Sequence, residues 1–194
     1  MAGGDDVWAA RLIERHLDEL ILRRNEAATL ARWLTALPVE MRRRRPRLNL
    51  AEAIVTLQRG RLDEVEPLLA SAEQALVAAD DEPYEPSIAR IASILANMPA
   101  MLRVARADLA RQHGDAVHEA VFAQQAQAQL TDEDWLLGSP VRYHLAVADW
   151  MDGRLGPAEA ALDEIVTERT ASGEPPCPCA PATTWAIFSR PEAS

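Results

Sequence analysis

The chain has 194 residues, enough for one domain or one short helical array, and nearly half are apolar, enough for a continuous core. Its formal charge of −10 repels phosphate backbones, which makes nucleic acid a poor partner for the surface as a whole. No run of about 18 apolar residues exists to span a membrane, and residues 1–6 lack the basic and apolar regions of a secretory signal, so a bacterial cytoplasm is expected.

The apolar share is mostly alanine, the best helix former, with only two Phe and two Tyr. Every cation other than histidine is arginine. A first helix is expected over residues 7–24, capped by Asp5 or Asp6, with Leu12, Ile13, Leu17, Leu20 and Ile21 at helical spacing. Asn25 suits a left-handed stop. A shorter helix over 26–37 should end at Pro38. The run Arg42–Arg45 precedes Pro46, and proline suits a first helical turn, so the next helix should run from Pro46 to near Gly60. Leu48, Ala51, Ile54, Val55 and Leu57 mark its inner face. After a turn at 61–63, a partner helix carries Val65, Leu68, Leu69, Ala72 and Leu76.

Residues 80–86 read as a polar break, followed by a helix over 87–97 and a break or kink at Met98-Pro99. Helices are expected over 100–113 and 116–130 around a Gly114-Asp115 turn. A connection over 131–140 leads to helices over 141–152 and 156–168, joined at Gly153-Arg154. The 171–194 tail holds five of the thirteen prolines and no helical period, which predicts a disordered segment beyond a 1–170 repeat domain. Cys177 and Cys179 in that tail are too close to bridge each other readily and lack further ligands for zinc; free thiols are expected.

Self-similarity is the most informative feature. Helix, glycine turn, helix recurs at Gly60, Gly114 and Gly153, with a weaker copy at Asn25; the steps are 35, 54 and 39 residues. Two of these lie near the ~34 of a tetratricopeptide repeat. Glycine supplies the positive φ that lets the second helix fold back. Ala53, Ala107 and Ala146 in first helices, with Ala120, Ala123, Ala158 and Ala161 in second helices, should mark the crossings. No such pair buries its apolar face alone, so neighbours must stack. The expected fold is all-α, a tetratricopeptide-like superhelical array of antiparallel helix pairs.

The run Trp33-Leu34-Thr35-Ala36-Leu37-Pro38, then Arg44-Arg45-Pro46-Arg47-Leu48, then Gly60-Arg61-Leu62-Asp63-Glu64 and Leu68-Leu69, resembles the tetratricopeptide-like sensor region of MalT-type, LuxR-family bacterial regulators. Ala107-Asp108-Leu109-Ala110 with Gly114-Asp115, Leu130 to Trp135, and Gly153-Arg154-Leu155 with 158–162 continue it, over roughly residues 8–168. The resemblance implies a module that receives a small-molecule or protein effector and governs self-association, between an ATP-binding module and a DNA-binding helix-turn-helix. Neither flanking module is legible here: without lysine there is no phosphate-binding Gly-Lys-Ser/Thr loop, and no helix-turn-helix follows residue 170. A stand-alone adaptor that takes a peptide in its groove is the alternative.

Chemistry-bearing residues are scattered. His16, His113, His118 and His144 fall on separate helices or turns, without the i, i+4 spacing of a helical zinc site. The acid clusters at 63–66, 80–82 and 132–134 sit at helix starts and in loops, where acids suit the helix dipole. No nucleophile elbow surrounds a serine. No enzyme activity, cofactor or metal is therefore expected. The basic run 42–47 reads as cations placed near a helix C-terminus rather than a nucleic-acid patch. Trp33 and Trp150 read as packing residues. In tetratricopeptide arrays the first helix of each pair lines the concave groove. Counting back from the turn glycines places Arg47, Asp108, Arg111, Tyr143 and His144 there as candidate partner-binding residues.

Overall fold

A computed structural model describes residues 3–18, Leu20, 27–79 and 95–172. Among these residues there is no strand. Nine helices follow in chain order: α1 (Gly3–Asp18), α2 (Ala27–Ala36), α3 (Val39–Arg43), α4 (Pro46–Gln58), α5 (Val65–Ala79), α6 (Met98–Gln112), α7 (Ala116–Gln127), α8 (Trp135–Met151) and α9 (Leu155–Ser172). No helix among the described residues is long and apolar enough to cross a membrane. The expected turn at Asn25, the helix over 87–97 and the 171–194 tail with both cysteines lie wholly or mostly outside the described residues.

Three hairpins share one turn. Gly60, Gly114 and Gly153 have φ of +71°, +76° and +82°. At each, the glycine N–H bonds back to the carbonyl three residues earlier: Leu57, Arg111 and Trp150. The next N–H reaches the carbonyl five residues back: Thr56, Ala110 and Asp149. This pair of bonds satisfies the last carbonyls of α4, α6 and α8 and reverses the chain. The reversal then packs α4 on α5, α6 on α7 and α8 on α9. Successive hairpins also touch, through α4 and α5 on α6 and through α6 and α7 on α8. At the other end α1, α2 and α3 all pack on α4.

Small side chains line these crossings. Ala53, Ala107, Ala123, Ala146 and Ala158 are buried, and Ala120 and Ala161 are half-buried. One apolar cluster runs from Ala10 in α1 to Val141 in α8. A second, around Tyr143, Val147, Leu162 and Ile165, joins α8 to α9. Helix α4 is buried almost all round, since neighbours cover it on several sides.

Several boundaries differ from the sequence expectation. Helix α1 begins at Gly3, so Asp5 and Asp6 lie in its first turn, where they face the positive dipole end, rather than preceding it as caps. Residues 39–43 form the short α3. Met98-Pro99 opens α6 instead of breaking a helix: Asn97 caps it, its Oδ1 accepting from the Ala100 N–H at 3.1 Å, and proline needs no partner at that position. Helix α8 begins at Trp135 and runs through Pro140. A proline six residues into a helix removes one N–H bond, and the burial of Leu137 and Val141 on either side offsets that loss. Trp33 and Trp150 are 38% and 42% exposed, more open than packing residues would be. Leu12, expected on the inner face of α1, is also exposed.

Polar side chains hold the hairpin boundaries. Between α5 and α6, buried Arg106 donates to Glu66 at 3.1 Å and to Glu73 at 2.9 Å, while Arg103 also reaches Glu73. Asn97 ties the start of α6 to the α7–α8 connection, since its Nδ2 donates to the Gln129 carbonyl and to Asp134, both at 2.9 Å. Arg42 donates to the Leu34 and Leu37 carbonyls at 2.6 and 3.2 Å and pairs with Glu52 at 3.0 Å, so the first arginine of the basic run closes the C-terminal end of α2 against α4.

Candidate functional site

Four of the five candidate residues come together and the fifth does not. Asp108 and Arg111 lie one turn apart on α6, and the Arg111 Nε donates to Asp108 Oδ1 at 3.0 Å. Tyr143 and His144 lie on α8, which packs on α6. Arg111 lies within electrostatic reach of Tyr143 and Glu119 as well as of Asp108, so the α6 pair stands beside the α8 residues. Arg47 sits elsewhere. Half-buried on α4, it acts with Arg45 on Glu14 of α1, whose Oε2 accepts from Arg45 at 2.7 Å. Tyr143 and His144 are fully buried, so in this structure they do not offer atoms to an open groove.

The centre of the cluster is a residue the sequence reading passed over. Glu119 of α7 is fully buried, and its Oε1 lies 2.9 Å from His144 Nδ1. The pair bridges the second and third hairpins. The Tyr143 ring stands edge-on to the imidazole, with centroids 5.3 Å apart and planes at 70°. Glu119 Oε2 and His144 Nε2 are buried without a hydrogen-bond partner among the described residues.

Burial pushes the Glu119 carboxyl above the usual carboxylate range; the His144 hydrogen bond and the His144 and Arg111 charges oppose this, and Asp108 adds to it. Arg111 is held above its ordinary value although burial works against its charge, because Asp108 supports it. The Glu119 signal was present in the sequence. Glu119, Ala123 and Ala126 fall at i, i+4 and i+7, and all three are buried, so an acid interrupts the small-residue stripe of α7.

The remaining candidates scatter over the surface. His118 pairs with Asp115 at 2.6 Å beside the start of α7, where Asp115 caps the His118 N–H. Asp134 accepts from the Thr131 N–H at 2.8 Å and from its hydroxyl at 2.9 Å. Glu64 pairs with Arg61. An open depression of about 410 Å³ lies between the first hairpin turn and the end of α6, lined by Gly60, Arg61, Leu62, Asp63, Glu64 and His113. Among the described residues no three His, Cys, Asp or Glu side chains are placed to hold a metal ion. The acids at 80–82 lie outside the described residues.

Comparison with known proteins finds no matching protein-family model, no similar curated protein and no similar solved structure.

Proposed function

We propose that this chain is a non-enzymatic binding and self-association module, built as a tetratricopeptide-like array and similar to the sensor region of MalT-type, LuxR-family regulators. The observation that carries the reading is the recurrence of one turn geometry. Gly60, Gly114 and Gly153 close three hairpins with the same pair of backbone bonds, and each hairpin packs on the next in chain order. Such an array presents extended surface made by several repeats, suited to binding a peptide, a protein or a small effector. The linked run from Trp33 to Pro38 and from Arg44 to Leu48 points to the regulator family in particular. Within the array, the polar cluster of Asp108, Arg111, Glu119, Tyr143 and His144 lies at the junction of the second and third hairpins, where a change in hairpin packing would alter the surface presented.

The test uses the purified chain and two readouts. Sedimentation velocity over a wide concentration range reports self-association, and thermal unfolding in the presence of a library of metabolites and peptides reports ligand binding through its stabilisation of the folded state. The expected result is concentration-dependent association, or an unfolding midpoint raised by one ligand class. A chain that stays monomeric throughout and is stabilised by no ligand would sink the proposal.

A further inference from the structure

We infer that the outer face of α1 is a self-recognition seam, through which two copies of this chain pair antiparallel about a two-fold axis at the level of Ala10. The seam gives the self-association proposed above a surface and a partner, and it rests on that reading. Helix α1 packs on α2, α3 and α4 at one end of the array, and Ala10, Ile13 and Leu17 form its buried stripe. On the side opposite Ala10, Asp5, Trp8, Leu12 and Arg15 are all exposed. They follow one another at the alternating three- and four-residue steps of a coiled-coil seam, which sets them along one line of the helix. Trp8 is 67% exposed and Leu12 38%, so two large apolar side chains one turn apart face outward. Arg11 is also exposed, about a quarter-turn off this line.

The order of the four residues identifies the partner. Asp5 and Arg15 lie equally far from position 10 on either side, and so do Trp8 and Leu12. A second α1 running the other way therefore sets each Asp5 against the partner's Arg15, and each Trp8 against the partner's Leu12. The seam is then apolar in the middle and oppositely charged at both ends, made from one patch used twice. A parallel pairing in the same register sets Asp5 against Asp5 and Arg15 against Arg15, where like charges repel. An unrelated partner places no such requirement on the order of the four. Arginine has five donors, so Arg15 can meet the partner's carboxylate alongside its interactions within its own chain.

Two apolar rungs make a short seam. One tryptophan and one leucine from each copy bury well under the ~1,200 Å² of a stable, specific interface. The expected product is a weak, reversible dimer with a Kd on the order of 100 μM. The charged end rungs, open to solvent, set direction and salt dependence more than affinity.

Sedimentation velocity of the full chain from micromolar to millimolar concentration tests the seam. The wild type should form dimers, and Trp8→Ala should weaken them by about tenfold. Asp5→Arg should weaken them by about threefold to tenfold, and adding Arg15→Asp should restore them. Asp5 lies in the first turn of α1 and Arg15 in the last, so the double reversal opposes the helix dipole. Recovery in it cannot come from a more stable helix. A wild type that stays monomeric overturns the seam, while stabilisation by a ligand would still carry the broader reading. Association that persists unchanged in Trp8→Ala leaves self-association standing and also overturns the seam. Should the double reversal lose α1, isotope-filtered NMR on a mixture of labelled and unlabelled wild type decides. Intermolecular contacts between the Trp8 indole and the Leu12 methyls support the antiparallel seam; their absence from the dimer overturns it.

Discussion

Replacing Gly114 with alanine isolates the backbone term that makes the central hairpin. An added Cβ at Gly114 meets no atom within 4 Å, so no steric contact enters the balance. What remains is the φ of +76°, where an L side chain crowds its own carbonyl at a cost of about 1–2 kcal/mol. Alanine also restricts the unfolded chain, which returns about 0.4–1 kcal/mol. The net expectation is a loss of about 1 kcal/mol. Gly138 provides the control. It lies inside α8 without a positive φ, and its Cβ also meets nothing within 4 Å. There the same substitution should stabilise by about 0.5–1 kcal/mol. Urea unfolding followed by far-UV circular dichroism gives both values, with an unchanged denaturant slope indicating an intact native state. Gly114→Asn should lose less than Gly114→Ala, because asparagine tolerates the left-handed region. If Gly114→Ala were as stable as the wild type, or if Gly138→Ala were destabilised to the same degree, the backbone account of the turns would be refuted.

Other substitutions probe the polar boundaries. Asn97→Ala removes the cap on α6 and two bonds to the α7–α8 connection, and should lower stability by about 1–2 kcal/mol in urea unfolding. Arg106→Met should be near neutral or slightly stabilising. The double change Glu66→Gln with Glu73→Gln leaves a buried guanidinium without its carboxylates and should cost about 1–3 kcal/mol, reduced from the fully buried case because both glutamates are well exposed. The Arg106 hydrogen bond holds the Glu73 carboxyl below its usual range. Its contribution is therefore present above the ordinary value of 4.5 and is lost as pH falls through the lower folded value, so Glu73→Gln should flatten the acid limb of a stability–pH profile. Glu14 behaves in the opposite sense, because burial raises its carboxyl; its contribution fades as pH rises, and Glu14→Gln should remove that decline.

The sequence by itself determined what depends on neighbouring residues. Pro46 marked the start of α4 because a proline favours the first turn and Arg45 before it is extended, with φ −113° and ψ 107°. Gly60, Gly114 and Gly153 marked the hairpin turns because only glycine enters the left-handed region without penalty. The inner faces of α4 and α5 were readable from spacing, since Leu48, Ile54, Val55, Val65 and Leu69 are all buried. Prolines were ambiguous in isolation. Pro99 and Pro140 each suggested a break, yet one lies in the first turn of α6 and the other inside α8, where tertiary burial outweighs a single lost hydrogen bond.

The site was legible only in pieces. Counting back from turn glycines placed Asp108, Arg111, Tyr143 and His144 on first helices, and α6 and α8 do pack together. Counting did not reveal that His144 points into the hairpin boundary, because rotation about a helix axis is set by the neighbours it packs against. Nor did it exclude Arg47, whose helix faces α1 rather than α7 and α8. Glu119 was marked only by its place in the α7 stripe with Ala123 and Ala126, and its burial was illegible for the same reason. An acid on a helix is ordinarily solvated, and only the stacking of α8 on α7 buries it against an imidazole 25 residues away. Turns and helix starts are decided within a few residues of backbone, whereas which charge is sealed from water is decided by which helices meet.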